Sequence, residues 1–165
     1  MDERIMPLPE LLERQQKLKA AGKKIVFTNG VFDILHRGHL EYLQKAKDLG
    51  DVLLVAVNSD ASVRRLKGEK RPIVCEADRA FLVSMLKPVD FVLIFEEDTP
   101  EYLIETLQPD VLVKGADYQI HEIVGSDSVQ KRGGEVARIP LTQGKATTGV
   151  VETIIARYGG QEKEL

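Results

Sequence analysis

Five short apolar runs, rich in Val and Ile, constrain the fold of this 165-residue chain more than any other feature of its sequence. The runs comprise Ile25–Thr28, Val52–Val57, Phe91–Phe95, Val111–Val113 and the weaker Glu135–Ile139. Four of them are continuous rather than alternating, which is typical of strands whose sheet is covered by helices on both faces. The runs therefore predict a mostly parallel five-stranded sheet.

Segments with helical periodicity lie between these runs and after the last one. Apolar stripes with helical spacing occur in residues 40–49, 80–86, 102–107 and 150–158. The alternation of strand and helix predicts a doubly wound, Rossmann-like α/β domain over residues 23–160, with helices on both faces. A further amphipathic stripe in residues 9–21 predicts a helix within residues 1–22 that packs on the sheet edge. The polar residues 161–165 are expected to fray.

Composition excludes several classes of protein. The chain has 23 Lys and Arg against 26 Asp and Glu, a net charge of −3, whereas general nucleic-acid binders carry an excess of basic residues. No apolar run approaches the roughly 20 residues of a membrane helix, and the N-terminus has no signal-peptide pattern. The single cysteine, Cys75, cannot form an internal disulfide, which favours a reducing, cytoplasmic location. We therefore expect small-molecule substrates, with neither nucleic acid nor a membrane as partner.

The segment after the first strand carries the residues best suited to chemistry. Residues 28–39 read TNGVFDILHRGH, and ligands of open α/β sheets bind beyond the carboxyl ends of the strands. The segment contains neither a G-x-G-x-x-G fingerprint nor a G-x-x-x-x-G-K-[ST] phosphate loop. His36 and His39 instead lie three residues apart at a predicted helix start, which puts both imidazoles on one face. Gly38 lets a ligand approach the backbone, and the helix N-terminus adds free N–H groups, so the segment predicts a phosphate site.

The motifs along the chain resemble a known family. The HxGH motif after a strand, preceded by G-x-F-D at residues 30–33, is similar to the signature of the HxGH nucleotidyltransferase superfamily, which is cytidylyltransferase-like. The resemblance covers residues 8–158 and includes Asn58-Ser59-Asp60, Leu66-Lys67-Gly68, Arg71-Pro72, Val113–Tyr118, Gly133-Gly134-Glu135 and Thr147-Thr148. The combined set most resembles the heptose 1-phosphate adenylyltransferase domain, which in many bacteria is fused to a sugar kinase.

The resemblance implies roles for individual residues. We expect His36, His39 and Lys67 to be catalytic, and Lys67 and Arg71 to bind the acceptor phosphate. The nucleotide is expected to contact Asn29, Gly30, Val31, Phe32, Asp33, His36, Gly38, His39, Lys114, Gly115, Asp117, Thr142, Thr147 and Thr148. Residues 64–71, with five basic residues and one acidic residue, are predicted to form a mobile loop over the site.

The implied reaction transfers AMP from ATP to D-glycero-D-manno-heptose 1-phosphate and yields ADP-heptose and pyrophosphate, for lipopolysaccharide or another surface glycan. The acceptor phosphate is already an anion at neutral pH, so catalysis needs no general base and consists of positioning and electrostatic stabilisation. Mg²⁺ is expected to bind mainly through the triphosphate. We expect no metal site made by the chain itself, because the further ligand candidates His121 and Cys75 are isolated in the sequence.

Three alternatives stay open on the sequence alone. A cytidylyltransferase acting on glycerol phosphate shares the motifs, but residues 141–144 read LTQG where that group has Arg-Thr-Glu-Gly, and Lys145 is the nearest substitute charge. An FAD-forming adenylyltransferase or a non-catalytic, nucleotide-binding regulatory module would use the same fold. Retention of both histidines favours an enzyme.

Other points are also undecided by the sequence. The threonines at 147 and 148 could cap the last helix, bind phosphate or do both. Arg79 could form a structural ion pair or serve the site. The anomer of the heptose phosphate is not encoded in any motif. Dimers are common in the superfamily, but no stretch identifies a dimer interface.

Overall fold

The computed structural model describes residues 3–142, 144 and 146–159. Five strands form one sheet: β1 Ile25–Gly30, β2 Val52–Asn58, β3 Phe91–Phe95, β4 Val111–Gly115 and β5 Glu135–Ile139. Their order is β3-β2-β1-β4-β5, and all neighbours are parallel. The doubly wound α/β sheet predicted from the apolar runs is therefore confirmed. The tail predicted for residues 161–165 lies outside the described residues.

Seven α-helices and one 3₁₀ turn occur in the described part of the chain. The helices are α1 Leu8–Ala20, α2 Arg37–Lys47, α3 Asp60–Lys67, α4 Glu76–Ser84, α5 Glu101–Leu107, α6 Ser126–Lys131 and α7 Thr147–Tyr158, and the 3₁₀ turn spans Ile120–Glu122. Among these described helices, none is both long enough and apolar enough to cross a bilayer.

The sheet separates two apolar cores, because successive side chains of a strand point to opposite faces. On one face, Leu11 of α1 and Ile104 of α5 belong to the same core as Phe27 of β1. On the other face, Leu43 of α2 belongs to the same core as Val26 of β1. All five side chains are fully buried. Both faces of the sheet are thus covered, which explains why the strands read as continuous apolar runs.

Helix α3 was not predicted, and the loop prediction for residues 64–71 is wrong for residues 64–67, which form the last turn of this helix. The helix begins after Ser59, whose Oγ accepts a hydrogen bond from the Ser62 N–H at 3.1 Å. Its buried residues are Ser62 and Val63. Its only large apolar side chains are Val63 and Leu66, so its sequence lacks the stripe by which most of the other helices were recognised. Helix α6, with six residues, is too short to show one.

Arg79 of α4 is fully buried, and its guanidinium joins three segments at the carboxyl end of the sheet. It donates to the Val31 carbonyl at 2.6 Å, after β1, and to the Val74 carbonyl at 2.9 Å, before α4. It also pairs with the Asp60 carboxylate, at the start of α3, at 2.8 Å. The structural ion pair that the sequence left open is therefore present.

Replacing Arg79 should destabilise the protein strongly. The substitution Arg79→Met leaves the Asp60 carboxylate and two carbonyls without their donor, and we expect the free energy of unfolding to fall by about 3–5 kcal/mol. Urea denaturation measures the change. The matched control is Arg64→Met on exposed α3 surface, which should change stability by less than about 1 kcal/mol. Equal effects of the two substitutions would contradict a structural role for Arg79.

Candidate active site

A cavity of about 590 Å³ opens at the carboxyl ends of the strands. It brings together most of the residues that the sequence singled out, namely Asn29, Gly30, Val31, Phe32, Asp33, His36, Gly38, His39, Lys67, Arg71, Lys114, Gly115, Asp117, Thr142 and Thr147. Thr148 lies exposed in the first turn of α7 and is not part of the cavity wall. The helix is capped by Ala146, so neither threonine is its N-cap. Lys145 lies outside the described residues.

The strand order divides the cavity into two sides. Strand β1 lies between β2 and β4, so residues 29–39 occupy the centre. The β2–β3 side is the part of the wall that follows β2 and β3, and it comprises Asn58, Leu66, Lys67, Asp98, Thr99 and Pro100. The β4–β5 side follows β4 and β5 and comprises Lys114, Gly115, Asp117, Tyr118, Glu122, Ile123, Val124, Leu141, Thr142, Ala146 and Thr147. Two ligands bound on opposite sides would therefore meet at the centre.

His36 and His39 stack at the start of α2. The ring centroids are 3.9 Å apart and the ring planes differ by 20°. His36 is the N-cap residue of α2. Two hydrogen bonds to the backbone hold the pair: the His36 N–H donates to His39 Nδ1 at 3.4 Å, and the His39 N–H donates to the His36 carbonyl at 2.9 Å. The two imidazoles thus lie together at the positive end of a helix dipole.

His39 is electrically neutral at physiological pH. Burial, together with the smaller effect of the neighbouring His36, lowers the pKa of His39 to about 4. Because Nδ1 accepts a hydrogen bond from the backbone, the proton of the neutral ring lies on Nε2. His39 therefore offers one N–H donor to an anion without carrying a positive charge that would have to be desolvated.

Phe32 supports the histidine pair from the side. Its backbone has a φ of 49°, in the left-handed region that few side chains adopt, and its ring lies 5.4 Å from the His39 ring. A Cβ added to Gly30 would meet the Phe32 ring at 3.0 Å, so glycine leaves room for it. Phe32 is buried. It packs against the His39 ring and forms part of the cavity wall, and its contact with the nucleotide stays a prediction.

Asp33 holds a loop. Its buried carboxylate accepts the Ile73 N–H at 2.9 Å and the Val74 N–H at 2.8 Å, and pairs with Arg71 Nε at 2.5 Å. Burial by itself would raise the pKa of Asp33, but the two N–H groups and Arg71 outweigh it, and the net pKa is lower than usual. Asp33 was expected to bind the nucleotide, and the structure places its oxygens on residues 71–74. It thereby positions Arg71 at the cavity wall.

Lys114 brings a cation to the β4–β5 side. Its Nζ lies 3.4 Å from the Asn29 carbonyl oxygen and 6.0 Å from the centroid of the Tyr118 ring. Burial lowers the pKa of Lys114 to about 8, and the nearby Asp117 opposes this effect. Asn29 Oδ1 is buried and has no hydrogen-bond partner among the described residues. A ligand donor could satisfy that oxygen, and a phosphate could satisfy the lysine.

Glu41 ties the C-terminal segment to α2, a contact that the sequence did not indicate. Its carboxylate accepts the Thr142 hydroxyl at 2.5 Å and pairs with Arg37 Nε at 2.5 Å. The bond to Thr142, followed by that to Arg37, lowers the pKa of Glu41. The segment that leads to Thr147 is thus tied to the helix that carries the histidines. The partners lie 101 residues apart, so no local pattern could have revealed them.

Metal binding by the chain itself finds no support in the described residues. Within residues 3–142, 144 and 146–159, no group of three or more His, Cys, Asp or Glu side chains is placed to hold a metal ion.

Comparison with known proteins places this geometry in context. A family model described as cytidylyltransferase-like matches residues 27–143. The chain is 34% identical to the lipopolysaccharide core biosynthesis protein from Thermoplasma volcanium GSS1, whose crystal structure superposes with a TM-score of 0.61 over 75% of this chain and 100% of that one.

Curated relatives are more similar in sequence and much longer. The chain is 57% identical to "Bifunctional protein HldE" of Geobacter metallireducens over 141 aligned residues. The alignment covers 86% of this chain and 29% of the relative. It is 56% identical to the protein of the same name from Helicobacter pylori over 151 aligned residues. That alignment covers 92% of this chain and 31% of the relative. The chain therefore spans about a third of the length of these relatives.

The low pKa of His39 should appear in the pH dependence of stability. Between pH 6.5 and about 4 the unfolded chain binds a proton at this residue and the native chain does not, so stability falls as the pH is lowered through this range. We expect His39→Gln to flatten that part of the curve, measured by urea denaturation from pH 8 to 4. The control His121→Gln, at an exposed histidine, should keep the wild-type slope. A wild-type slope in His39→Gln would refute the assignment.

Proposed function

Because the chain belongs to the cytidylyltransferase-like family, we propose that it is a nucleotidyltransferase that transfers AMP from ATP to D-glycero-D-manno-heptose 1-phosphate. The products are ADP-heptose and pyrophosphate. The observation that carries the proposal is the stacked pair of His36 and His39 at the N-terminus of α2, in the centre of a two-sided cavity. Such a pair is suited to a phosphate that reacts between two bound substrates.

The reaction requires one displacement at the α-phosphorus. An oxygen of the acceptor phosphate forms a bond to this phosphorus while the bond to the bridging oxygen of pyrophosphate breaks. The electron pair leaves with pyrophosphate, and no proton has to be removed from the acceptor. Negative charge increases on the α-phosphoryl oxygens and on the leaving group, so hydrogen-bond donors placed there accelerate the step.

Different residues of the cavity wall bind the triphosphate, the acceptor phosphate and the rest of the nucleotide. His36 and His39 donate to the triphosphate at the centre, and the Nε2–H of His39 is the better defined of the two donors. Lys67 and Arg71 receive the acceptor phosphate, since both lie at the cavity wall and Asp33 holds Arg71 in place. Lys114 is available to the nucleotide on the β4–β5 side. This division keeps the two anions apart except at the reacting phosphorus.

The identity of the acceptor rests on the relatives. The motif set resembles the heptose 1-phosphate adenylyltransferase domain, and the solved relative is named for lipopolysaccharide core biosynthesis. We treat Mg²⁺ as part of the MgATP substrate, held by the triphosphate and water. ATP is abundant in the cytoplasm, and a cytoplasmic location belongs to the same proposal.

CTP is the competing nucleotide, because the matching family is described as cytidylyltransferase-like. The two possibilities are separated by measuring pyrophosphate release with four nucleoside triphosphates crossed against a panel of sugar and polyol phosphates. We expect the highest kcat/KM with ATP and a heptose 1-phosphate, tested as both anomers. Preference for CTP with glycerol 3-phosphate would move the assignment to a cytidylyltransferase, and absence of turnover with every heptose phosphate would rule out the proposed acceptor.

Loss of either histidine should impair the chemical step. We expect His36→Ala and His39→Ala each to lower kcat by about a hundredfold or more, as loss of a transition-state donor does. The control His121→Ala should leave kcat unchanged. Steady-state kinetics at saturating substrates measures the effect, and thermal denaturation shows whether each variant is folded. Turnover near the wild-type value in a folded variant would remove that histidine from the mechanism.

A further inference from the structure

Besides Asn58, the β2–β3 side of the cavity contains two polar residues that the proposed reaction does not yet use. Asp98 and Thr99 lie in the connection between β3 and α5 and form part of the wall. They share this side with Lys67, at the end of α3. A carboxylate repels the phosphates of both substrates. Asp98 is suited instead to a ligand group that is neutral and donates hydrogen bonds.

Contacts with α3 hold this connection in place. Arg65 pairs with Asp98 Oδ1 at 2.7 Å and donates to the Glu96 carbonyl at 2.5 Å. The Ser62 hydroxyl donates to the Glu97 carbonyl at 3.1 Å. Helix α3, which ends at Lys67, therefore carries both the lysine and the support for Asp98.

Asp98 keeps hydrogen-bonding capacity for a ligand. Arg65 occupies Oδ1, and Oδ2 has no hydrogen-bond partner among the described residues. An ionised carboxylate only accepts hydrogen bonds, and the Thr99 hydroxyl both donates and accepts. A sugar presents several hydroxyl groups that do the same. The pair is thus matched to a polyhydroxylated ligand and mismatched to a phosphate.

We propose that Asp98 and Thr99 bind hydroxyl groups of the acceptor sugar and determine the preference for a polyhydroxylated phosphate, with Arg65 as the residue that positions Asp98. The inference rests on the proposed function, which puts the nucleotide on the β4–β5 side and the acceptor on the β2–β3 side. Lys67 and Arg71 then hold the phosphate end of the acceptor, and Asp98 and Thr99 hold its hydroxyl-bearing end.

The test compares KM values for the two substrates. We expect Asp98→Ala and Thr99→Val each to raise KM for heptose 1-phosphate by about tenfold or more, because each removes a hydrogen bond to a substrate hydroxyl. KM for ATP and the thermal midpoint should stay near the wild-type values. The matched control is Glu97→Ala, which removes the neighbouring exposed carboxylate that is not part of the cavity wall.

A second pair of variants tests the positioning role. Arg65→Gln should raise the same KM, and Arg65→Lys, which restores the charge, should recover part of the loss. Arg64→Gln is the control on the adjacent residue and should have no effect. If Asp98→Ala changes KM for the acceptor no more than Glu97→Ala, or raises KM for ATP equally, the inference is overturned while the proposed function stands. If the wild-type enzyme does not use heptose 1-phosphate, the proposed acceptor and this inference fall together.

Discussion

The buried guanidinium of Arg79 holds the segments on which the site is built. A buried charge is tolerated only when it is paired and hydrogen-bonded, and Arg79 meets that condition with Asp60 and two backbone carbonyls. Those partners belong to the loop after β1, the start of α3 and the loop before α4. Asp33, in the loop after β1, likewise joins two segments, because its carboxylate accepts hydrogen bonds from three groups of residues 71–74. Two buried ionic groups thus orient the wall from which Lys67 and Arg71 contact the cavity.

Electrostatics in the cavity combine fixed cations with neutral donors. The chain as a whole carries a net charge of −3, yet Lys67, Arg71 and Lys114 all lie at the wall of this cavity. His39 adds an N–H donor while remaining neutral, because its pKa is about 4. A donor of this kind costs little to keep buried in the absence of a ligand, and binding of an anion would raise its pKa. The site can therefore attract polyanions without holding a cluster of like charges together.

The sequence predicted the sheet and the centre of the site, but not how the site is held. Strands buried on both faces produce apolar runs that are visible locally, and the HxGH spacing locates the histidine pair. Helix α3 was not predicted because its sequence has only two large apolar side chains, Val63 and Leu66, and therefore no apolar stripe. The anchoring bonds of Asp33 and Glu41 join residues far apart in the chain, and such bonds leave no periodic pattern. The sequence therefore identified residues of the cavity wall, but not the bonds, such as those of Asp33 to residues 71–74, that hold the wall in place.

Strand order explains how two substrate sites can be built from separate parts of one chain. The loops after β2 and β3 come from residues 58–100, and those after β4 and β5 come from residues 114–147, while β1 lies between them. The histidine pair belongs to neither pair of loops and lies between them. Under the proposed function, the nucleotide and the acceptor are therefore contacted by different stretches of the chain and share only the central segment that carries the chemistry.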